Sequence, residues 1–306
     1  MTNLTRRAWL KGAAACLTGV NAFAATAEKP GPAISFGFSL YGMKGVKTAD
    51  ALRHCADIGY DGVELALMPG WPTEPRLLTA DDRRDLRQRL GDSGLALVGL
   101  MENLSEPSAD PAHRANLDRL KAAAELGHAL SPKAPPVLET VLGGKPGQWE
   151  QVKDKLVERL RSWAEVAAAA RTIFAVKAHV GNTLHTPEGA LWLVRQVNSP
   201  WLKLAFDYSH FVLRALPLAK TLTTLLPDSV FIHVKDAKGT ADKFEFLLPG
   251  DGGIDYTAYF ETVRKAGYRG PVVVEVSGQI SGKPGYDPLA AAKRSYANLA
   301  PLLKKG

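Results

Sequence analysis

Cysteine is scarce: the chain holds two, Cys16 and Cys55, and the first lies in an apolar leader. Loss of that leader leaves one thiol with no intrachain partner, and a domain of this size has core enough without disulfide staples. Acidic residues are missing from the first dozen positions, which carry Arg6, Arg7 and Lys11. No basic block follows. Of the formal net charge of +7, three charges sit in the leader, and the remaining +4 is spread along the body. That spread argues against nucleic acid and against a membrane surface as partners. No apolar run reaches the roughly 20 residues of a membrane-spanning helix, so stable membrane insertion is not expected. A glycine-rich phosphate loop is also missing after the first predicted strand, which disfavours an open doubly wound sheet, the runner-up architecture.

What is there begins with the leader. Thr5-Arg6-Arg7-Ala8-Trp9-Leu10-Lys11 precedes an alanine-rich run from Gly12 towards Val20, followed by Ala22-Phe23-Ala24. Charged, apolar and small-residue segments in that order make a secretory signal, and the paired arginines match the twin-arginine type. Residues 1–27 are therefore expected to be a signal peptide that directs the protein to the periplasm or another exported location. Residues 32–306 are expected to form the folded domain.

From Ile34 onward, short apolar runs alternate with amphipathic segments, the pattern of β/α units around a parallel sheet. Strands are expected near Ile34–Tyr41, Gly62–Leu65, Ala96–Met101, Val137–Thr140, Ile173–His179, Leu202–Asp207, Val230–Lys235 and Val272–Val276. Helices are expected near Thr48–Ile58, Thr79–Ser93, Asp110–Leu126, Glu150–Ala170, Pro187–Val197, Pro217–Leu226, Tyr256–Lys265 and Pro288–Leu303. Thr48 and Thr79 suit N-caps, Pro187 suits a first turn, and Gly59, Gly94 and Gly267 fall where helices should stop. Eight such units predict a single (β/α)8 TIM barrel.

Strand ends in such a barrel converge on one mouth, where catalytic groups gather. Strand four ends with Glu139. Strand five ends with Lys177-Ala178-His179, whose period of two turns both side chains to one face. Strand six ends with Asp207-Tyr208-Ser209-His210, strand seven with His233-Val234-Lys235-Asp236, and strand eight with Glu275; Glu64 joins from an early strand. Burying so many ionisable groups is costly unless they pair or bind a cation. A divalent ion held by Asp207, His233 and Glu275 would relieve much of that cost; oxygen and imidazole donors suit manganese, magnesium, cobalt or zinc. Lys235 and Asp236 are alternatively read as a pair on the loop. Glu188 and Asp255 are expected in first turns of helices, a structural role. Trp71, Trp149 and Tyr208 lie near mouth loops and are candidates for stacking on a sugar face, or for plain loop packing.

Gly59-Tyr60-Asp61-Gly62-Val63-Glu64 resembles the second-strand region of the xylose-isomerase-like barrel superfamily, which includes sugar epimerases, inosose dehydratases and apurinic-site endonucleases. Asp207-x-x-His210, His233-x-Lys235-Asp236, Leu248-Pro249-Gly250-Asp251-Gly252 with Ile254-Asp255-Tyr256, and Gly267-Tyr268-x-Gly270-Pro271 leading into Val273-Val274-Glu275 are similar to its later motifs. The resemblance implies metal ligation by Asp207, His233 and Glu275, with Glu275 also close to proton transfer. It makes His210 a substrate contact or a ligand to a further metal. One position departs: where the family's fifth strand usually ends in a metal-binding glutamate, this sequence has Lys177. An ammonium cannot ligate a cation. Three outcomes follow: Glu139 or His179 supplies a fourth ligand, the ion keeps three protein ligands and water, or Lys177 has replaced the ion.

The expected chemistry is that of an isomerase, epimerase or lyase of carbohydrate metabolism, acting on a sugar, keto-sugar or glycoside by metal-assisted proton abstraction beside a carbonyl. Catalytic roles fall to Glu275, Lys177, His179 and His210, with Lys177 as oxyanion donor or base. Substrate contacts fall to Glu64, His210, Lys235 and Trp149. Two other classes compete: a non-catalytic carbohydrate-binding barrel, and a metal-dependent phosphoesterase of the endonuclease branch. Whether the chain forms a homo-oligomer is left open by the sequence.

Overall fold

The apolar runs of the sequence become ten strands: β1 (Ser35–Ser39), β2 (Gly62–Ala66), β3 (Ala96–Asn103), β4 (Val137–Val141), β5 (Phe174–Lys177), β6 (Leu202–Asp207), β7 (Ser229–Val234), β8 (Asp236–Thr240), β9 (Lys243–Leu247) and β10 (Pro271–Val274). The structure, a computed structural model, describes residues 34–304. The signal peptide expected over residues 1–27 lies outside them. Eight strands close into a parallel barrel in the order β1-β10-β7-β6-β5-β4-β3-β2, so the (β/α)8 expectation is met. Strands β8 and β9 form a separate antiparallel hairpin.

Ten helices accompany them: α1 (Thr48–Ile58), α2 (Ala80–Asp92), α3 (Asp110–Leu130), α4 (Trp149–Ala170), α5 (Pro187–Val197), α6 (Ser209–Val212), α7 (Leu218–Leu225), α8 (Tyr256–Lys265), α9 (Gly278–Ser281) and α10 (Pro288–Leu303). The long ones present Leu52, Leu120, Leu160, Trp163, Leu193, Phe260 and Leu299 to the sheet, all fully buried. Their ends obey local chemistry. Thr79 and Asp82 form a reciprocal capping box on α2, and Asp255 accepts from the Ala258 N–H at 3.0 Å. Thr48 was expected as an N-cap but is the first helical residue, with Lys47 ahead of it. No helix among the described residues is long and apolar enough to cross a membrane.

The barrel interior decides where chemistry can sit. Ala175, Ala205, Phe231 and Val273 come from four adjacent strands and pack as one apolar layer. Phe231 fills most of it. The alanines opposite leave the ring room, and so does Gly99, where a Cβ would stand 2.7 Å from the ring. One step further along each strand the side chains are Lys177, Asp207, His233 and Glu275. Period-two geometry places these on the same inward face, directly above the apolar layer.

Strand ends differ from expectation in two places. Strand β5 stops at Lys177, and His179 turns away into a loop, its N–H donating to the Leu184 carbonyl at 2.9 Å. Asp236 does not pair with Lys235. Its carboxylate accepts from the backbone N–H groups of Gly250 (2.7 Å) and Ile254 (3.2 Å). The Leu248–Gly252 loop can wrap so tightly because Gly252 lacks a Cβ, which would come 2.8 Å from that carboxylate.

Candidate active site

Glu64, Glu139, Lys177, Asp207, His210, His233 and Lys235 are all buried at the mouth end of the barrel. Glu275 is the exception, with 12% of its side chain exposed, so its carboxylate is the charged group of the cluster that solvent or substrate reaches first. Strands β4 to β7 and β10 deliver most of these side chains; β2 adds Glu64, and α6 adds His210 immediately after Asp207.

The polar contacts form one connected network. His233 points Nε2 at Glu64 Oε2 (2.9 Å), and these partners assign the proton to Nε2. Its Nδ1 then faces Lys177 Nζ at 2.7 Å and Glu275 Oε2 at 3.2 Å. Lys177 also donates to Glu275 Oε2 at 3.0 Å and stands 3.7 Å from Glu139 Oε2. Lys235 donates to Asp207 Oδ2 and, at 2.8 Å, to the same Glu275 oxygen. Asp207 Oδ1 is held by the Ser209 N–H (3.0 Å) and hydroxyl (2.7 Å). Two ammonium groups thus sit among four carboxylates, three of them buried, the arrangement that makes such burial tolerable.

That network sets the protonation states. Burial raises the carboxyls of Asp207 and Glu275, but the lysines and nearby histidines outweigh it and hold both well below the ordinary range. Burial pushes Glu139 up to about 7, only partly opposed by Lys177 at 3.7 Å. Burial also opposes the charge on Lys177, yet Glu139 and Glu275 more than offset this and keep it above its ordinary value. Lys177 is therefore an ammonium hydrogen-bond donor within this network. Burial together with Lys235 lowers His210 to about 4. Burial and His210 lower His179 well below its usual value. These two rings lie 4.1 Å apart, both neutral near pH 7.

The β8–β9 hairpin covers this corner. Phe246 meets the His210 ring edge-on at 5.2 Å, and Lys235 Nζ lies 4.9 Å over the Phe246 ring. Phe246 was missed in the sequence; the Phe244/Phe246 alternation was its signal, but Ala241, Asp242 and Lys243, of weak strand propensity, precede it. On the β2 side, Tyr41 and Trp71 stack at 5.4 Å with 8° between planes, and Lys44 stands 3.9 Å over Trp71. The other aromatic candidates are placed elsewhere. Trp149 packs its indole edge-on against Trp192 at 5.7 Å, and Tyr208 is buried with its hydroxyl donating to the Leu216 carbonyl at 2.6 Å. The structure does not bring either into the cluster.

Ligand-type atoms of Asp207, His233 and Glu275 lie within 4.8 Å of one another, and so do those of Glu64, Glu139 and His233. By residue type, burial and spacing, these groups are consistent with a metal site. The lone pairs are another matter. Lys177 takes the only in-plane lone pair of His233 Nδ1, the two lysines share Glu275 Oε2, and Lys235 takes Asp207 Oδ2. In this arrangement the three donors do not fit an ion.

Comparison with known proteins agrees with this architecture. An L-ribulose 3-epimerase from Methylomonas sp. is 25% identical over 74% of this chain and 77% of its own length. An L-ribulose-5-phosphate 3-epimerase from Salmonella paratyphi B is 23% identical over 82% of this chain and 89% of its own. Among solved structures, the zinc-binding IOLI protein superposes with a TM-score of 0.75 at 19% identity, covering 89% of this chain and 98% of that one. A 3-keto-D-glucoside 4-epimerase from E. coli gives 0.69 at 18% identity, covering 88% and 99%. The profile of the xylose isomerase-like TIM barrel family matches residues 52–301, and the chain belongs to that family.

Proposed function

We propose that this chain is an exported enzyme of the sugar isomerase, epimerase or lyase type, removing a proton beside a carbonyl of a sugar, keto-sugar or glycoside. The observation that carries this reading is the setting of Glu275: an ionised carboxylate at the rim of an otherwise buried cluster, flanked by two ammonium donors. The similarity to sugar 3-epimerases supports the substrate class. Export rests on the leader's composition.

The chemistry follows from the residues. A carbonyl oxygen that enters above Lys177 meets an N–H donor that binds its developing negative charge more strongly than its ground state. Glu275 lies beside that donor and accepts the proton from the neighbouring carbon. Two ammonium neighbours keep it ionised but weaken it as a base. His179 and His210, neutral and adjacent, are placed to carry the proton onward. Return of a proton to the opposite face inverts the carbon; loss of a β-substituent gives the lyase outcome. Tyr41 and Trp71 offer an aromatic wall against the sugar ring.

The test is solvent exchange. The protein is incubated in D2O with ribulose, allulose and a 3-keto-glucoside, and the proton beside each carbonyl is followed by NMR. Loss of that signal above the buffer rate supports the reading. Sugar binding without exchange at any carbon would instead identify a non-catalytic carbohydrate-binding barrel.

A further inference from the structure

We propose that the ammonium group of Lys177 occupies the position that a divalent ion would take among Asp207, His233 and Glu275, so that the barrel works with a covalently built-in cation in place of a bound one. The inference rests on the proton-abstraction reading only for its catalytic consequence; the occupancy itself stands on geometry.

An imidazole nitrogen has one lone pair, in the ring plane. With Nε2 committed to Glu64, that lone pair on His233 Nδ1 is the single donor the ring can offer an ion, and Lys177 Nζ stands 2.7 Å from it. The same Nζ is 3.0 Å from Glu275 Oε2, the oxygen that itself lies 3.2 Å from Nδ1. A metal bound at roughly 2.0–2.2 Å from both atoms would overlap the ammonium. Lys235 closes the remaining side by bonding Asp207 Oδ2 and the shared Glu275 oxygen. Between them the two lysines touch every ligand-type residue of the triad.

Covalent attachment gives the site a fixed single charge instead of an exchangeable double one. Of the three Lys177 N–H groups, two are used on His233 and Glu275. For the third the nearest carboxylate is Glu139 Oε2 at 3.7 Å, beyond hydrogen-bonding distance. That N–H is the donor left for a substrate oxygen. The preferred ligand is then a neutral carbonyl that becomes an enolate, stabilised by hydrogen bonding from an ammonium.

Metal uptake by the full-length chain decides the matter. Wild type, Lys177→Glu and Lys177→Met are each dialysed against Mn2+, Co2+ or Zn2+, desalted and analysed for metal by mass spectrometry. Thermal unfolding is followed with and without the ion. Wild type is expected to retain well under ~0.1 ion per chain and to show no thermal shift. Lys177→Glu, which turns the competing cation into a fourth donor, is expected to retain about one ion and to be stabilised by it. If Lys177→Glu does not fold, Lys177→Met, which frees the His233 lone pair without adding charge, decides in its place. A wild-type protein that retains near-stoichiometric metal, lost in Asp207→Asn, overturns the proposal. So does a folded pair of variants that take up no more metal than wild type, because Lys177 would then not be what keeps the ion out. Neither result bears on solvent exchange, so failure here is distinguishable from failure of the proposed function.

Discussion

Glu275 and Cys55 show how much a single environment decides. Glu275→Gln preserves shape but removes the base and one anionic partner from both lysines; a loss of ~10²–10⁴-fold in turnover is expected, with the circular dichroism spectrum retained. An equal loss in Asp61→Asn, whose carboxylate accepts from the Phe36 N–H of β1 and pairs with Lys304, would mean that fold and not proton transfer was measured. Cys55 is wholly buried on α1, and burial pushes its thiol up to about 12. The folded state keeps the proton that the unfolded chain releases near the ordinary 9.0, so the thiol opposes folding as pH rises through that window. Stability is therefore expected to fall above pH 9, less steeply in Cys55→Ala, and Cys55 should resist thiol reagents until the chain unfolds. Asp207, His233 and Glu275 were legible as a cluster because strand parity and the convergence of strand ends are local rules. Which of the three outcomes holds at Lys177 was not, since its partners lie 56 and 98 positions away. No local pattern reports whether carboxylates across a barrel will hold a lysine charged.

At the scale of elements, packing beneath the site matters as much as the groups in it. Phe231 supports the polar layer, its ring edge-on to His233 at 5.0 Å. Phe231→Ala leaves a cavity under His233 and should cost about 3–5 kcal/mol, read as a lower urea midpoint. A midpoint within error of wild type would contradict the role given to that layer. On the outer ring, Asp255→Ala removes the N-cap of α8 and should cost about 0.5–2 kcal/mol without altering sugar exchange. Helix limits were readable where termini carry local signals: α5, α8 and α10, capped by Thr186, Asp255 and Asp287, fall at the expected residues, and so does α1, which stops at Gly59. The β8–β9 hairpin was not readable. Asp236, which opens it, is committed to the Gly250–Ile254 backbone, and the alanine and glycine that follow carry little strand preference.

The described residues form a closed parallel barrel that the sequence announced through eight alternating units, and its mouth gathers most of the buried charged side chains. The leader that suggests export lies outside the described residues, and export is checked by locating the mature N-terminus in a cell extract. Proton abstraction from a sugar at the mouth is tested most directly by following the proton beside the carbonyl of ribulose, allulose and a 3-keto-glucoside in D2O, with wild type and Glu275→Gln in parallel. Exchange by wild type that drops at least about 100-fold in the variant is the predicted result. No exchange by wild type with any of the three, or exchange unchanged in Glu275→Gln, would contradict the account.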